Sequence, residues 1–256
     1  MKKIAILGCG NMARALCLGA GNINNLKIYS FTPSKIKALK LADEIGGSAV
    51  ESLSNLPNSD YYLIGCKPQH FDELAKNLTN KIPQDSLVIS MMASKSVKGI
   101  QEALNHKHVL RVMPNLSVAR RKGINLLYPQ SSMDSDMEDF FSSGLIHYCQ
   151  SEKELDDMTL FTGCGPGVLA EILSQVQKSY EKNLSINQEK SKEVLLKLLE
   201  GLLEDLRDEA ADEYVDRVCS KGGVTEQIVM SLREKSLSQA LERGLDRAKI
   251  KNDQLK

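Results

Sequence analysis

The amino-acid sequence predicts an α/β fold: a doubly wound parallel sheet over residues 1–151, followed by an all-α region over residues 152–256. Three observations predict it. Short apolar runs alternate with helix-forming stretches up to about residue 150, the pattern of strands joined by crossover helices. From Glu152 onward that alternation stops, and apolar residues recur at helical spacing. A glycine-rich loop sits between the first apolar run and the first helical stretch.

Lys3–Leu7 is rich in isoleucine and closed by glycine, so it reads as a buried parallel strand. Met12–Ala20 is the first helix, with Gly21 and Asn22 as its stop signals. Leu26–Ser30 is the second strand. Thr32-Pro33 then supplies a cap and a proline at the first helical position, opening a helix through Glu44. Tyr61–Cys66 and Leu87–Met91 are further strands, with a helix over Phe71–Leu78 between them. Val109–Met113 and Ile124–Tyr128 continue the sheet. In the helical region Val194, Leu195, Leu198, Leu199, Leu202, Leu203 and Leu206 form one periodic set. Leu232, Leu237, Leu241 and Leu245 mark a last helix or two. Such leucine-rich helices pack in an intramolecular bundle or on a second copy, and spacing does not choose between them.

Composition excludes several classes. Lysine plus arginine equals aspartate plus glutamate, so nothing draws the chain to nucleic acid or an anionic membrane. The apolar run Ile4–Leu7 is shorter than the roughly 7–15 residues of a signal peptide's core. No stretch approaches the roughly 20 apolar residues of a membrane span. The expected protein is soluble and cytoplasmic. Six cysteines (Cys9, Cys17, Cys66, Cys149, Cys164, Cys219) are scattered without a C-x-x-C pair, and His106 and His108 have no cysteine or carboxylate cluster beside them. Neither a disulfide framework nor a metal site is expected.

Gly8-Cys9-Gly10-Asn11-Met12-Ala13 has the G-x-G-x-x-A spacing of a dinucleotide fingerprint, and it stands where that motif must, between strand and helix. Gly8 permits the tight turn, Gly10 lets backbone approach a pyrophosphate, and Ala13 lets the helix pack on the sheet. The helix N-terminus at Asn11 and Met12 offers N–H groups to phosphate. This is a Rossmann-like reading. An NAD enzyme usually carries an acid at the end of the second strand; here Ser30, Thr32, Ser34 and Lys35 stand there instead. Hydroxyls and a lysine suit a 2′-phosphate, so NADP is expected, with NAD as the alternative.

Four later stretches, "CKPQHF" (Cys66–Phe71), "RVMPNLS" (Arg111–Ser117), "TGCGPG" (Thr162–Gly167) and "VCSKGGVT" (Val218–Thr225), resemble in order the landmarks of the pyrroline-5-carboxylate reductases. The resemblance covers nearly the whole chain. It implies NAD(P)H-dependent reduction of a cyclic imine to proline, in proline biosynthesis, by a homodimer or higher homo-oligomer built through a helical dimerisation domain. It places Thr225 at the imine nitrogen and Ser220, Gly222 and Gly223 at the substrate carboxylate. On the cofactor side it adds Cys66, Lys67, Pro68, Ala93 and Asn115.

The chain departs from that family at several positions. Leu116-Ser117 replace Thr-Pro, Ser94 replaces glycine, and Phe31 stands where an arginine is frequent. Cys164, Gly167 and Val168 replace serine, alanine and tyrosine, while Lys221 and Val224 replace proline and threonine. These changes bear on substrate preference and on 2′-phosphate binding. Cys164, between two glycines at an expected helix N-terminus, is read as a reactive but non-catalytic thiol. Two rivals stand beside this reading: a nucleotide-sensing protein without catalysis, and a 6-phosphogluconate-type hydroxyacid dehydrogenase. The latter's Gly-x-x-x-Lys-x-x-x-Asn helix is absent from the sequence.

Overall fold

The computed structural model describes residues 1–20, 25–130 and 133–254, so the expected stop signals Gly21 and Asn22 lie outside it. The described residues form two compact units, Met1–Gly165 and Pro166–Gln254.

The first unit is built on an eight-stranded sheet. Its strands are β1 (Lys2–Leu7), β2 (Leu26–Phe31), β3 (Ser48–Ala49), β4 (Tyr61–Ile64), β5 (Leu87–Ser90), β6 (Val109–Pro114), β7 (Gly123–Tyr128) and β8 (Gly144–Tyr148). Their spatial order is β3-β2-β1-β4-β5-β6-β7-β8. Between them run α1 (Asn11–Gly19), α2 (Lys35–Ile45), α3 (Phe71–Leu78), α4 (Val97–Leu104) and α5 (Ser135–Phe141), and α6 (Glu152–Leu184) follows β8.

Alternation along β1 shows why both faces are covered. Ile4 and Ile6 pack with apolar residues of α1, α2 and α5, whereas Ala5 and Leu7 pack with those of α3 and α4. A strand buried on both sides is continuously apolar, as Lys3–Leu7 is.

Three local expectations are corrected. Pro33 is not the first residue of α2. Strand β2 runs on to Phe31, the Lys35 N–H bonds the Pro33 carbonyl at 3.1 Å, and Ser34 rather than Thr32 precedes the helix. Strand β7 is antiparallel to β6, although β8 then runs parallel to β7. The reason is the link: Asn115–Lys122 holds only a short 3-10 turn over Leu116–Arg120, and a parallel return needs a crossover of roughly a dozen residues or more. The third concerns "TGCGPG", which does not precede a helix. It lies inside the 33-residue α6, so Cys164 is an exposed mid-helix residue.

The second unit holds the C-terminal part of α6, then α7 (Gln188–Asp208), α8 (Ala211–Val218), α9 (Val224–Glu234) and α10 (Leu237–Asp253). Among its described residues only Ser191 is buried. Leu198, Leu203 and Ile250 are 65%, 62% and 60% exposed. No helix of the described residues is long and apolar enough to cross a membrane.

Candidate active site

Strand β1 pairs with β2 on one side and β4 on the other, so the order of the sheet reverses between β1 and β4. Ligands of open α/β sheets bind outside the carboxyl ends of the strands at such a point. A cleft of about 780 Å³ opens there. Three strand ends contribute to its walls (Gly8, Cys9 and Gly10 after β1, Phe31, Thr32, Pro33 and Ser34 after β2, and Gly65, Cys66 and Lys67 after β4), and residues of α2, of the loop after β3 and of α3 complete them.

The glycines of the loop differ in what they permit. Gly8 has φ +107°, and a Cβ there would lie 2.5 Å from the Cys66 N. It is glycine because β4's end passes against it. Gly10 immediately precedes α1, and a Cβ there would meet no protein atom within 4 Å. Open space faces it. That fits a bulky group laid against the backbone, beside the first-turn N–H groups that any helix leaves without intrahelical partners.

The expected cofactor residues divide. Gly8, Gly10, Thr32, Cys66 and Lys67 line the cleft, while Asn11 and Met12 form the first turn of α1. Ser30 does not face the cleft. It is fully buried, and its hydroxyl donates to the Ala38 carbonyl at 2.9 Å, tying β2 to α2. Lys37 takes the place expected of Lys35, because the later start of α2 turns the second lysine toward the cleft. Pro68 opens a short 3-10 turn and does not line the wall. The acids of the wall are Glu51 and Glu73. Burial pushes the Cys9 and Cys66 thiols each up to about 11, so both are neutral groups at physiological pH.

Asn115 is a clamp rather than a wall residue. Its oxygen accepts the Ile124 N–H at 3.1 Å, and its Nδ2 donates to the Thr162 carbonyl at 3.3 Å. Pro166, four residues on in α6, has no N–H to give that carbonyl, so Asn115 satisfies an acceptor the proline leaves open.

Ala93 is held from behind by a residue whose role the sequence did not reveal. Arg111, 2% exposed, donates to the Ala93 carbonyl at 3.1 Å, to Glu152 Oε1 at 2.8 Å and to Asp156 Oδ1 at 3.0 Å. Glu152 Oε1 also accepts the Val97 N–H at 2.8 Å. One buried guanidinium thus fixes the loop after β5 to the start of α6. The signal was a lone charge inside the apolar run Val109–Met113.

In the second unit the expected substrate residues form the turn before α9. Gly222 has φ +75°, and a Cβ on Gly223 would sit 2.4 Å from Ser220 Oγ, so both glycines are required by the turn. The Gly223 N–H bonds the Ser220 carbonyl at 2.8 Å, and the Gly222 N–H bonds Glu226 Oε2 at 2.7 Å. The turn therefore already holds a carboxylate, its own. Thr225 stands exposed beside it in the first turn of α9.

Comparison with known proteins agrees on both halves. Residues 152–255 match the family model "Pyrroline-5-carboxylate reductase dimerisation", and residues 3–94 match "NADP oxidoreductase coenzyme F420-dependent". The pyrroline-5-carboxylate reductase of Staphylococcus epidermidis is 33% identical over 185 residues, 68% of each chain. This chain belongs to the pyrroline-5-carboxylate reductase family. The Staphylococcus aureus enzyme is 30% identical over 183 residues, again 68% of each chain. The fold agrees with a Plasmodium falciparum pyrroline carboxylate reductase solved with NADP bound: TM-score 0.85, 22% identity, 99% of this chain and 98% of that one.

Proposed function

We propose that the chain reduces 1-pyrroline-5-carboxylate to proline with NADPH. The observation that carries this reading is the cleft at the switch point. A family member here presents the open Gly10 backbone, a helix N-terminus and a hydroxyl–lysine wall on one side of it. When bound, the nicotinamide supplies the hydride, and the net reaction consumes one proton with the imine. Gly8 and Gly10 bring backbone to the pyrophosphate. Thr32, Ser34 and Lys37 form the wall suited to a 2′-phosphate, and Asn11 and Met12 add first-turn N–H groups. Lys67 and Cys66 close the β4 side.

The chemistry asks little acid–base work of the protein. Hydride adds to the carbon of C=N, and the electron pair moves to nitrogen; a protonated imine then needs no enzymic acid. The chain's task is to orient the imine and exclude water. Thr225 orients the nitrogen through its hydroxyl. Ser220, Gly222 and Gly223 receive the substrate carboxylate, which replaces that of Glu226 at the Gly222 N–H. The exposed leucine faces of α7 and α10 serve a homodimer, in keeping with the name of the family model that spans them. Residues 152–256 act as that dimerisation and substrate domain, and residues 1–151 as the cofactor domain. Six free cysteines suit a reducing compartment, the cytoplasm.

Steady-state assay with the cyclic imine and NADPH tests this. Turnover is expected, with kcat/KM for NADPH above that for NADH and the difference shrinking in Lys37→Ala. Thr225→Ala should lose about tenfold in kcat/KM, since a neutral hydrogen bond is worth roughly 0.5–1.5 kcal/mol. NADPH affinity should not move, and Thr225→Ser should recover most of the rate. NADPH binding without turnover would instead identify a nucleotide-sensing protein.

A further inference from the structure

We infer a binding site for one zinc-class divalent ion at the joint between β8 and α6, made by His147, Cys149 and Glu154. The spacing of the residues explains how they meet. His147 and Cys149 are two apart where β8 ends, so they point to one side of the strand. The Cys149 N–H still pairs with the Leu127 carbonyl at 2.8 Å, which holds the strand geometry through the cysteine. The chain then turns, and Ser151 Oγ accepts the Glu154 N–H at 3.1 Å, starting α6 with Glu154 in its first turn. The Gln150 N–H takes Glu154 Oε2 at 2.7 Å, leaving Oε1 directed at His147 Nε2, 3.3 Å away.

One imidazole nitrogen, one sulfur and one carboxylate oxygen therefore lie within 4.8 Å of one another. Around a tetrahedral zinc, ligand atoms stand about 3.5 Å apart, so the set closes with a movement of about 1 Å. Cys149 is buried at the bottom against Leu126 and Leu155, while the His147 and Glu154 side chains are 40% and 34% exposed. An ion would enter from the exposed rim and keep water as its fourth ligand. The nitrogen–sulfur pair selects zinc-like ions over magnesium or calcium, which take oxygen. Binding releases the thiol proton to solvent and involves no redox step. The ion would tie the last strand of the sheet to the first turn of α6.

The experiment uses the full chain in a Cys164→Ser background, which removes the exposed thiol. Tag-free protein is stripped with EDTA and titrated with zinc chloride against a chromophoric chelator, and thermal unfolding is followed in parallel. One equivalent of zinc bound at micromolar affinity or tighter, with a raised Tm, and no response to magnesium, is the expected result. His147→Gln and Cys149→Ser should each weaken binding by about tenfold or more. Failure to hold zinc against the chelator, or unchanged affinity in His147→Gln, would overturn the site. His147 is the deciding variant if the buried Cys149→Ser protein does not fold.

Discussion

The first unit has a buried apolar core, with Ile4, Ile6, Leu63, Phe71 and Phe140 fully buried, although Ile36, Leu145 and Phe161 remain at its surface. The second unit's described residues include no buried large apolar side chain, and Leu169, Leu184, Leu196, Leu198 and Leu203 are all more than half exposed. The first unit has a finished core on both faces of a sheet. The second has helices with much of their apolar stripe left open, and helical propensity alone does not hold such segments. A permanent homodimer interface buries roughly 2,000–5,000 Å² and is apolar like a divided core. On the homodimer proposed above, the contrast predicts that the first unit carries its own stability and the second shares it.

The sharpest way to break that comparison is Leu198→Asp. On a helix exposed in the working protein the change would cost little. On an interface it places an unpaired charge in an apolar seam, and dimer should be lost entirely at micromolar protein. Light scattering after gel filtration reads the result, and a dimer of normal affinity would refute the shared-core reading.

The next effect lies in the self-sufficient unit. Arg111→Met removes one partner from a buried charge cluster and leaves Glu152 and Asp156 facing each other without their cation. Breaking such a pair costs about 3–5 kcal/mol. Chemical denaturation of the first unit's transition should show it, while the oligomeric state stays as it was. A loss below about 1 kcal/mol would mean that water replaces the guanidinium.

The two loop glycines should separate stability from binding. Gly8→Ala combines a positive φ with a Cβ 2.5 Å from backbone. It should cost about 1–3 kcal/mol of stability, and the cofactor cleft with it. At Gly10 a Cβ meets no protein atom within 4 Å, so Gly10→Val should keep a cooperative fold, losing no more than the roughly 1 kcal/mol of a poorer helix cap, while NADPH titration shows binding lost. Equal NADPH affinity in Gly10→Val would remove the glycine loop from the site.

How much of this was legible in the sequence follows the same division. Strand–helix alternation, the glycine loop and the all-helical course from Glu152 depend on local period and spacing, and all are found. What sequence reading missed depends on contacts distant in the chain. Strand β3 is two residues long and exists because Tyr29 and Ser30 pair with it. The direction of β7 was set by a turn too short for a crossover. Ser30 and Asn115 read as cofactor residues and Arg111 as a lone charge in a strand, yet each is committed to partners 8 to 47 positions away. Cys164 misled because glycines and proline signal a helix end, whereas here α6 runs through them, Asn115 taking the carbonyl that Pro166 leaves. The Ser220–Thr225 turn was visible as a motif, but not that Glu226 occupies it.

The smallest expected effect sharpens the comparison at its surface. In the second unit the ion pairs within single helices, such as Lys197 with Glu200, join neighbouring turns. In the first unit Asp134 instead joins α5's start to β1, accepting hydrogen bonds from Lys2 Nζ and from Tyr61 Oη. Burial pushes the Asp134 carboxyl up, but the bonds from Lys2, Tyr61 and the Met137 N–H outweigh it and hold its pKa below the ordinary 3.8. The same contacts, Asp134 first, raise the Lys2 ammonium above its ordinary 10.5. A carboxylate with a depressed folded pKa adds stability above its unfolded value, and that stability is lost as pH falls through the folded value. A raised lysine adds stability below its unfolded value, lost as pH rises through the folded one. The pair therefore contributes fully between pH 3.8 and 10.5. Both side chains are 41% exposed, which limits the contribution to about 1 kcal/mol or less. Asp134→Asn should lower Tm at pH 7 by no more than about 2–4 °C. The difference from the parent should vanish as pH is taken below 3.8. Lys197→Gln, in an i,i+3 pair on a helix, should move Tm less at pH 7. Equal shifts for the two variants would mean that the first unit gains nothing from tying its sheet to a helix by charge.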